Sequence, residues 1–388
     1  MSAASTSLGD DWRINNFDLI RLFAALQVVL VHTMSILKMH GINADFFDLG
    51  LRMFPGVPIF FVISGFLISK SYERSDSTRD YYRNRCLRIF PALWVCLALS
   101  IGVILIAGVG VLGPISSADW LAWWVAQMSL YQQYGPDFLK PVATGQFNGS
   151  LWTIPIELEF YLLLPLVYGA LRLRQRRGDI ALLGLLAGSM VIHFMSCRPG
   201  VAAASPPHTF LVETVVPYLW MFLVGVLSQR HWQSLRGWLA GCAHRWFLGY
   251  LLLCVLARRF DIYVGSADIS PLFLLPLAGL ILSCAISLPS LADRLLHHND
   301  ISYGTYIYHA LVLDLMLIFG VQGDFISATA TVAIALALGT ASLWCVERPF
   351  LHRKRGSLRE AVQGLPADRV ANVGRSNLEA HAFGTGET

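Results

Sequence analysis

Charge is scarce in these 388 residues: Asp, Glu, Lys and Arg make up 14% of the chain, while 55% is hydrophobic and mean hydropathy is +0.56. A water-soluble domain carries about 25% charged residues, so this composition excludes one. The seven cysteines contain no CxxC pair, which removes zinc-ribbon and thioredoxin-type chemistry and leaves them as small apolar side chains. No Walker-type phosphate loop, no G-x-G-x-x-G after a strand and no H-E-x-x-H is present. P-loop, Rossmann and zincin chemistry, and any metal centre of that kind, therefore have no support. A cleavable signal peptide is not expected, because the N-terminus is polar and the first apolar run contains Arg21.

Long apolar runs are what the chain has. A helix needs about 20 residues to cross a bilayer. Ten runs fit, at 18–36, 54–71, 89–112, 152–171, 179–196, 209–228, 245–258, 270–288, 302–320 and 325–346, the seventh being short. An aromatic stretch at 118–132 is too short to span and is placed on the surface. The expected fold is an all-α integral membrane protein of about ten transmembrane helices. Residues 1–17 form a cytoplasmic N-terminal segment, 18–350 the membrane domain, and 351–388 a polar, disordered cytoplasmic tail.

Loop charges orient this arrangement. With the N-terminus inside, nineteen Lys and Arg fall in inner segments, including Arg83, Arg85, Arg88, Arg172 and Arg230. Six (Lys38, Arg52, Lys140, Arg198, Arg258 and Arg259) fall outside. That bias follows the positive-inside rule and puts both termini in the cytoplasm. The net charge of +4 is then a topology signal, with no nucleic-acid partner implied.

The first span, DLIRLFAALQVVLVH, carries Arg21 and His32 within apolar sequence. Eleven residues turn a helix by about three turns plus 20°, so both lie on one stripe, about 16 Å apart along the axis. Polar groups in a bilayer are costly and are default functional candidates. Counting from span ends places His32 near the outer surface, with Glu157, His193, Glu213 and Asp314 at a similar depth. Arg21, Arg85, Arg88, Ser302 and Tyr303 collect at the inner side, and Ser302, Tyr306 and His309 share one helical stripe.

Six blocks, IRLFAALQVVLVH, GVPIFFVISGFLIS, RNRCLRIFPALW, GSLWTIPIELEFYLLLP, ISYGTYIYH and VERPF, occur in this order over residues 17–350. In content and order the chain resembles the bacterial membrane acyltransferase-3 family, in the form without a further esterase-like domain. The resemblance implies transfer of an acyl group, most often acetyl, from acyl-CoA to a hydroxyl of a sugar or polysaccharide, without a metal, in the bacterial cytoplasmic (inner) membrane. Partners would be the acyl-CoA donor, the glycan acceptor and membrane lipid. Arg21 and His32 match the family's arginine–ten–histidine signature.

Chemistry supports that division. Arginine forks match phosphate oxygens, which suits Arg21, Arg85 and Arg88 to the donor. A sugar hydroxyl needs a base titrating near neutrality, which suits His32, with Glu157 as the carboxylate orienting it. Ser302, Tyr303, Tyr306 and His309 are expected along the donor tunnel.

Plainer readings stand beside these. Arg21 could be a snorkelling anchor, Arg85 and Arg88 ordinary inner-loop charges, and Ser64 a small packing residue rather than a covalent nucleophile. Glu159, about 200° around the helix from Glu157, should face another neighbour. Glu347 and Arg348 could be a salt-bridged helix end or a donor contact. Trp120, Trp123, Trp124, Tyr131, Tyr134, Phe138 and Phe147 make either an interfacial belt or a platform for sugar rings. A secondary transporter or translocator of a lipid-linked sugar is the alternative function, although no internal repeat supports it.

Overall fold

A chain in hydrocarbon must satisfy its backbone internally, and all regular structure among the described residues is helical. The computed structural model describes residues 15–39, 42–107, 115–129, 131–132, 134–173, 178–196, 211, 213–262, 264–288, 290–297 and 299–351, with backbone alone at 42–46. The expected tail, and the N-terminal segment before residue 15, lie outside these.

The helices are α1 (Phe17–Ile36), α2 (Ile42–Arg52), α3 (Gly56–Glu73), α4 (Thr78–Ala107), α5 (Ser117–Met128), α6 (Thr153–Ala170) and α7 (Gly178–Ser196). They continue with α8 (Leu219–Arg230), α9 (Trp232–Leu239), α10 (Ala243–Arg259), α11 (Pro271–Ile286), α12 (Leu291–Leu296), α13 (Ser302–Ile318) and α14 (Phe325–Ser342), which runs into a π-turn at Leu343–Glu347. Six helical stretches among the described residues are long and apolar enough to cross a membrane, or seven if α9 and α10, bent by 83°, form one span. The chain is a helical, multi-pass membrane protein.

Two expected boundaries move. The third span begins at Thr78 instead of residue 89, so the basic run containing Arg85 and Arg88 is helical and continuous with the apolar segment. In the sixth, Glu213–Tyr218 forms turns and bends and α8 begins only at Leu219, with Pro217 disfavouring helix at the residue before it. The 118–132 stretch contributes the short helix α5, capped by Ser116 Oγ accepting from Asp119 N–H.

Small residues let the helices around the site approach closely. A Cβ on Gly65 of α3 would lie 2.0 Å from the Phe222 carbonyl oxygen of α8, and one on Gly225 would lie 2.1 Å from the Val62 oxygen. A Cβ on Gly304 of α13 would lie 2.8 Å from Gly339 Cα of α14. Without a hydrophobic drive in lipid, such backbone contact is the means of helix association.

Two elements begin part-way along their neighbours. Gln27 of α1 accepts from Gly56 N–H at 2.8 Å and donates to the Leu51 carbonyl at 3.0 Å, so α3 starts at mid-α1. The segment before α6 docks on α13. Asn148, in the left-handed region at φ 51°, donates its N–H to Asp314 Oδ2 at 2.7 Å and its Nδ2 to the Ile307 carbonyl at 3.1 Å. Tyr306 then donates its hydroxyl to the Ser150 carbonyl at 3.0 Å, and Thr153 Oγ1 lies 2.7 Å from the same hydroxyl. Helix α6 therefore starts beside Tyr306.

Candidate functional site

Where α1, α3, α4, α6 and α13 converge they line a small, partly open cavity of about 70 Å³. Arg21, Arg85, Arg88, Asp300, Ser302 and Tyr303 line it, together with Ser64, Glu157 and Tyr161 and with Phe60, Thr153 and Tyr306.

Asp300 organises the cationic part. Its Oδ2 accepts from Arg21 Nη1 at 3.1 Å and from Arg88 Nη2, and its Oδ1 accepts from the Ser302 backbone N–H at 3.1 Å and from the Ser302 hydroxyl. Burial works against the charge of this carboxyl, which stands just before α13. Arg88 and Arg21, with the Ser302 donors, nevertheless hold it below the ordinary aspartate range. Arg85 donates through Nη2 to Ser71 Oγ at 3.2 Å, and its guanidinium carbon lies 5.9 Å from the Tyr161 ring centre. Its shielded Nε–H has no hydrogen-bond partner among the described residues. Buried donors are seldom left unpaired, so this one fits an anionic ligand in the cavity.

Glu157 sits in the same cavity. Its Oε1 accepts from Ser64 Oγ at 3.0 Å and from the Tyr161 hydroxyl. The expected bond between Glu157 and His32 is not formed. The physical reason is the docked segment 148–153: α6 starts beside Tyr306, not at the His32 end of α1, so Glu157, a turn further on, is carried to the arginine side.

His32 turns instead to α13. Its Nδ1 lies 3.0 Å from His309 Nε2, with ring centres 5.1 Å apart, and His309 Nδ1 faces the Tyr306 carbonyl. His309 is fully buried, while His32 is part-exposed. Tyr306 lines the cavity, its ring 5.7 Å from that of His309, and neither histidine of the pair is in the lining.

The other expected members of the His32 cluster are dispersed. His193 Nδ1 bonds the Pro217 carbonyl at 2.9 Å, Glu213 lies in the turn before α8, and Asp314 holds Asn148 and Thr144. Glu159 does face another neighbour, accepting from Val215 N–H at 2.7 Å. Glu347 and Arg348 do not pair: Glu347 accepts from the Ser342 hydroxyl at 3.2 Å, while Arg348 donates to Asn299 and stacks 3.5 Å from the Trp344 ring centre. Tyr303 donates to the Ile89 carbonyl at 3.1 Å, from within the cavity wall. Of the aromatic loop, Trp123 and Phe147 are core, and Trp124 and Tyr131 are exposed. Among the described residues no group of three or more His, Cys, Asp and Glu is placed to hold a metal.

Two site residues, Asp300 and Gln27, and the docking role of Asp314 escaped the reading of the sequence. Asp300 had a usable signal, being an acid two residues before the Ser302 stripe. The clamps made by Gln27 and Asp314 had none, since a polar residue in a span does not reveal which backbone it holds.

The fold and site are those of a multi-helix membrane protein with an arginine-lined cavity and a histidine pair beside it. The family profile described as an acyltransferase domain matches residues 14–346, and the chain belongs to the acyltransferase-3 family. It is an acyltransferase. The chain is 33% identical over 339 residues to nodulation protein 10 of Rhizobium leguminosarum bv. viciae, covering 83% of this chain and 90% of that protein. It is 26% identical over 334 residues to the exopolysaccharide production protein ExoZ of Rhizobium meliloti, covering 81% and 94%. It is also 26% identical over 231 residues to the O-acetyltransferase OatA of Staphylococcus aureus, covering 52% of this chain and 34% of that protein. No solved structure matches the chain.

Proposed function

We propose that this acyltransferase carries an acyl group, acetyl in the simplest case, from cytoplasmic acyl-CoA to a hydroxyl of an extracytoplasmic or lipid-linked glycan. Ten spans with both termini in the cytoplasm, in the bacterial inner membrane, accompany this reading, supported by the loop-charge bias. The observation that carries it is the cavity itself. Three guanidiniums gather in it, one with an unpaired buried N–H, and the histidine of the signature stands just past its Tyr306 wall.

In this reading Arg21, Arg85 and Arg88 take donor phosphates, with Ser302, Tyr303 and Tyr306 lining the donor's path. Glu157, bonded to Ser64 and Tyr161, belongs to the donor's wall and not to His32. His32 removes the acceptor proton as the hydroxyl oxygen attacks the acyl carbon and the C–S bond breaks. A polysaccharide acceptor is suggested by the relative ExoZ, an exopolysaccharide production protein.

The test is donor-dependent transfer. Purified protein in lipid vesicles receives acetyl-CoA labelled in the acetyl group, together with surface polysaccharide extracted from a strain lacking the gene. Label is expected in base-labile linkage on the polysaccharide, with one free thiol released per acetyl. Binding or movement of polysaccharide without thiol release would mark a translocator and overturn the reading.

A further inference from the structure

The histidine pair offers a chemical deduction that contact geometry alone forces. Tyr306 presents a carbonyl oxygen to His309 Nδ1, and a carbonyl accepts hydrogen bonds but never donates them. Neutral His309 must therefore carry its proton on Nδ1, since a bare Nδ1 would set two lone pairs against each other. Its Nε2 is then an acceptor. That atom lies 3.0 Å from His32 Nδ1, so His32 donates there through an Nδ1–H. The lone pair of His32 is left on Nε2, on a residue that is still part-exposed.

We infer that His309 is the positioning residue for His32: a relay from the Tyr306 carbonyl through His309 fixes the tautomer in which His32 Nε2 is free to take the acceptor's proton. This rests on the proposed role of His32 as base and assigns the orienting part to a residue on a different helix from Glu157. His309 is fully buried and does not line the cavity, which sets it apart from the donor-binding side chains. Its partner role also explains an ionisable ring packed in apolar surroundings, where polar groups are retained when bonded.

No bond is made or broken at His309. It accepts a hydrogen bond before the reaction and still accepts it when His32 holds the extra proton. A neutral partner orients the ring without adding opposite charge, so its loss should cost less than removal of the base. A triad whose orienting carboxylate becomes an amide loses about 10⁴-fold through the wrong tautomer; for a neutral partner about 10- to 100-fold in kcat is expected.

The experiment compares six proteins in vesicles, with labelled acetyl-CoA and polysaccharide from the strain lacking the gene: wild type, His309→Leu, His309→Asn, His309→Gln, His32→Ala and His32→Ala/His309→Leu. Leu removes both bonds. Asn keeps the one to the Tyr306 carbonyl but cannot reach His32, and Gln can present its amide oxygen where Nε2 was. Kcat is expected to fall about 10- to 100-fold in Leu and Asn and to recover largely in Gln, with KM for acetyl-CoA unchanged in all three. In the His32→Ala background the Leu change should cost nothing further, because His309 acts only through His32.

Wild-type kcat in Asn, a raised KM for donor, or a double variant well below His32→Ala would overturn the relay. Should Leu fail to fold, Asn, which keeps only the bond to the Tyr306 carbonyl, and Gln, which can also reach His32, still separate the outcomes. Full activity of His32→Ala alone would mark failure of the base assignment, a result distinct from any seen at position 309.

Discussion

Arg21 and Arg88 reach one atom, Oδ2 of Asp300, from two different helices. A single carboxylate thus keeps two like charges side by side at the cavity, at the cost of neutralising part of their attraction for a donor. Removing one partner of a buried ion group costs about 3–5 kcal/mol. Asp300→Asn should cost somewhat less, about 2 kcal/mol, because both guanidiniums are part-exposed. Coenzyme A should then raise the melting temperature of the Asn variant more than that of wild type, its phosphates taking the carboxylate's place. Equal shifts in the two proteins would show that donor does not meet this pair.

The same carboxyl sets a pH expectation. Its held-down value means that its contribution is complete above the ordinary aspartate range and is lost only as acid drives pH through the lower folded value. Donor affinity, read by titrating coenzyme A from pH 5 to 8, should not report Asp300. A change in wild type across that window that vanishes in Asp300→Asn would contradict the assignment.

Arg21→Lys keeps the charge but loses the fork. Protein yield should be unchanged while KM for acetyl-CoA rises about tenfold, consistent with the loss of about 1.4 kcal/mol of bidentate contact. Unaltered KM would return Arg21 to the role of a headgroup anchor.

His32→Ala should lower kcat by about 10²–10⁴-fold with coenzyme A affinity intact, since Arg21 lies about 16 Å along the same helix. Incubation with labelled acetyl-CoA alone should leave no acyl-protein in wild type or in Ser64→Ala. A trapped adduct that Ser64→Ala removes would replace direct transfer by a covalent route.

Gly65→Ala is expected to prevent accumulation of folded protein, because its methyl would meet the Phe222 carbonyl at 2.0 Å and neither backbone can yield. Gly102→Ala, with open space at its Cβ, is the control. Equal folded yields of the two variants by size-exclusion chromatography would refute the tight α3–α8 contact.

Much of this was legible in residue order because hydrocarbon imposes simple rules. Apolar runs became helices, and the spacing Ser302–Tyr306–His309 placed three residues on the face of α13 that meets the site. Depth was the failure. Counting inward from a presumed surface set Glu157 level with His32, but the turn at Gly149–Trp152 descends along α13 before α6 begins. That descent depends on Asp314 and Tyr306, more than 150 positions away in the chain, and no local pattern encodes it. His309 was visible as a polar residue on a stripe, while its partner could be found only by folding α1 against α13.

The Tyr306 ring bears on a matter other than catalysis. Its hydroxyl is held by Ser150 and Thr153, and with the proposed topology the arginine-lined cavity on which it borders lies toward the cytoplasmic side. Bacteria store energy as an electrochemical gradient across the cytoplasmic membrane, and in the proposed location a passage opened past this ring would discharge it. The acyl-bearing arm of the donor would then have to serve as its own stopper, filling the passage as the ring moves aside, and an empty enzyme would have to stay shut.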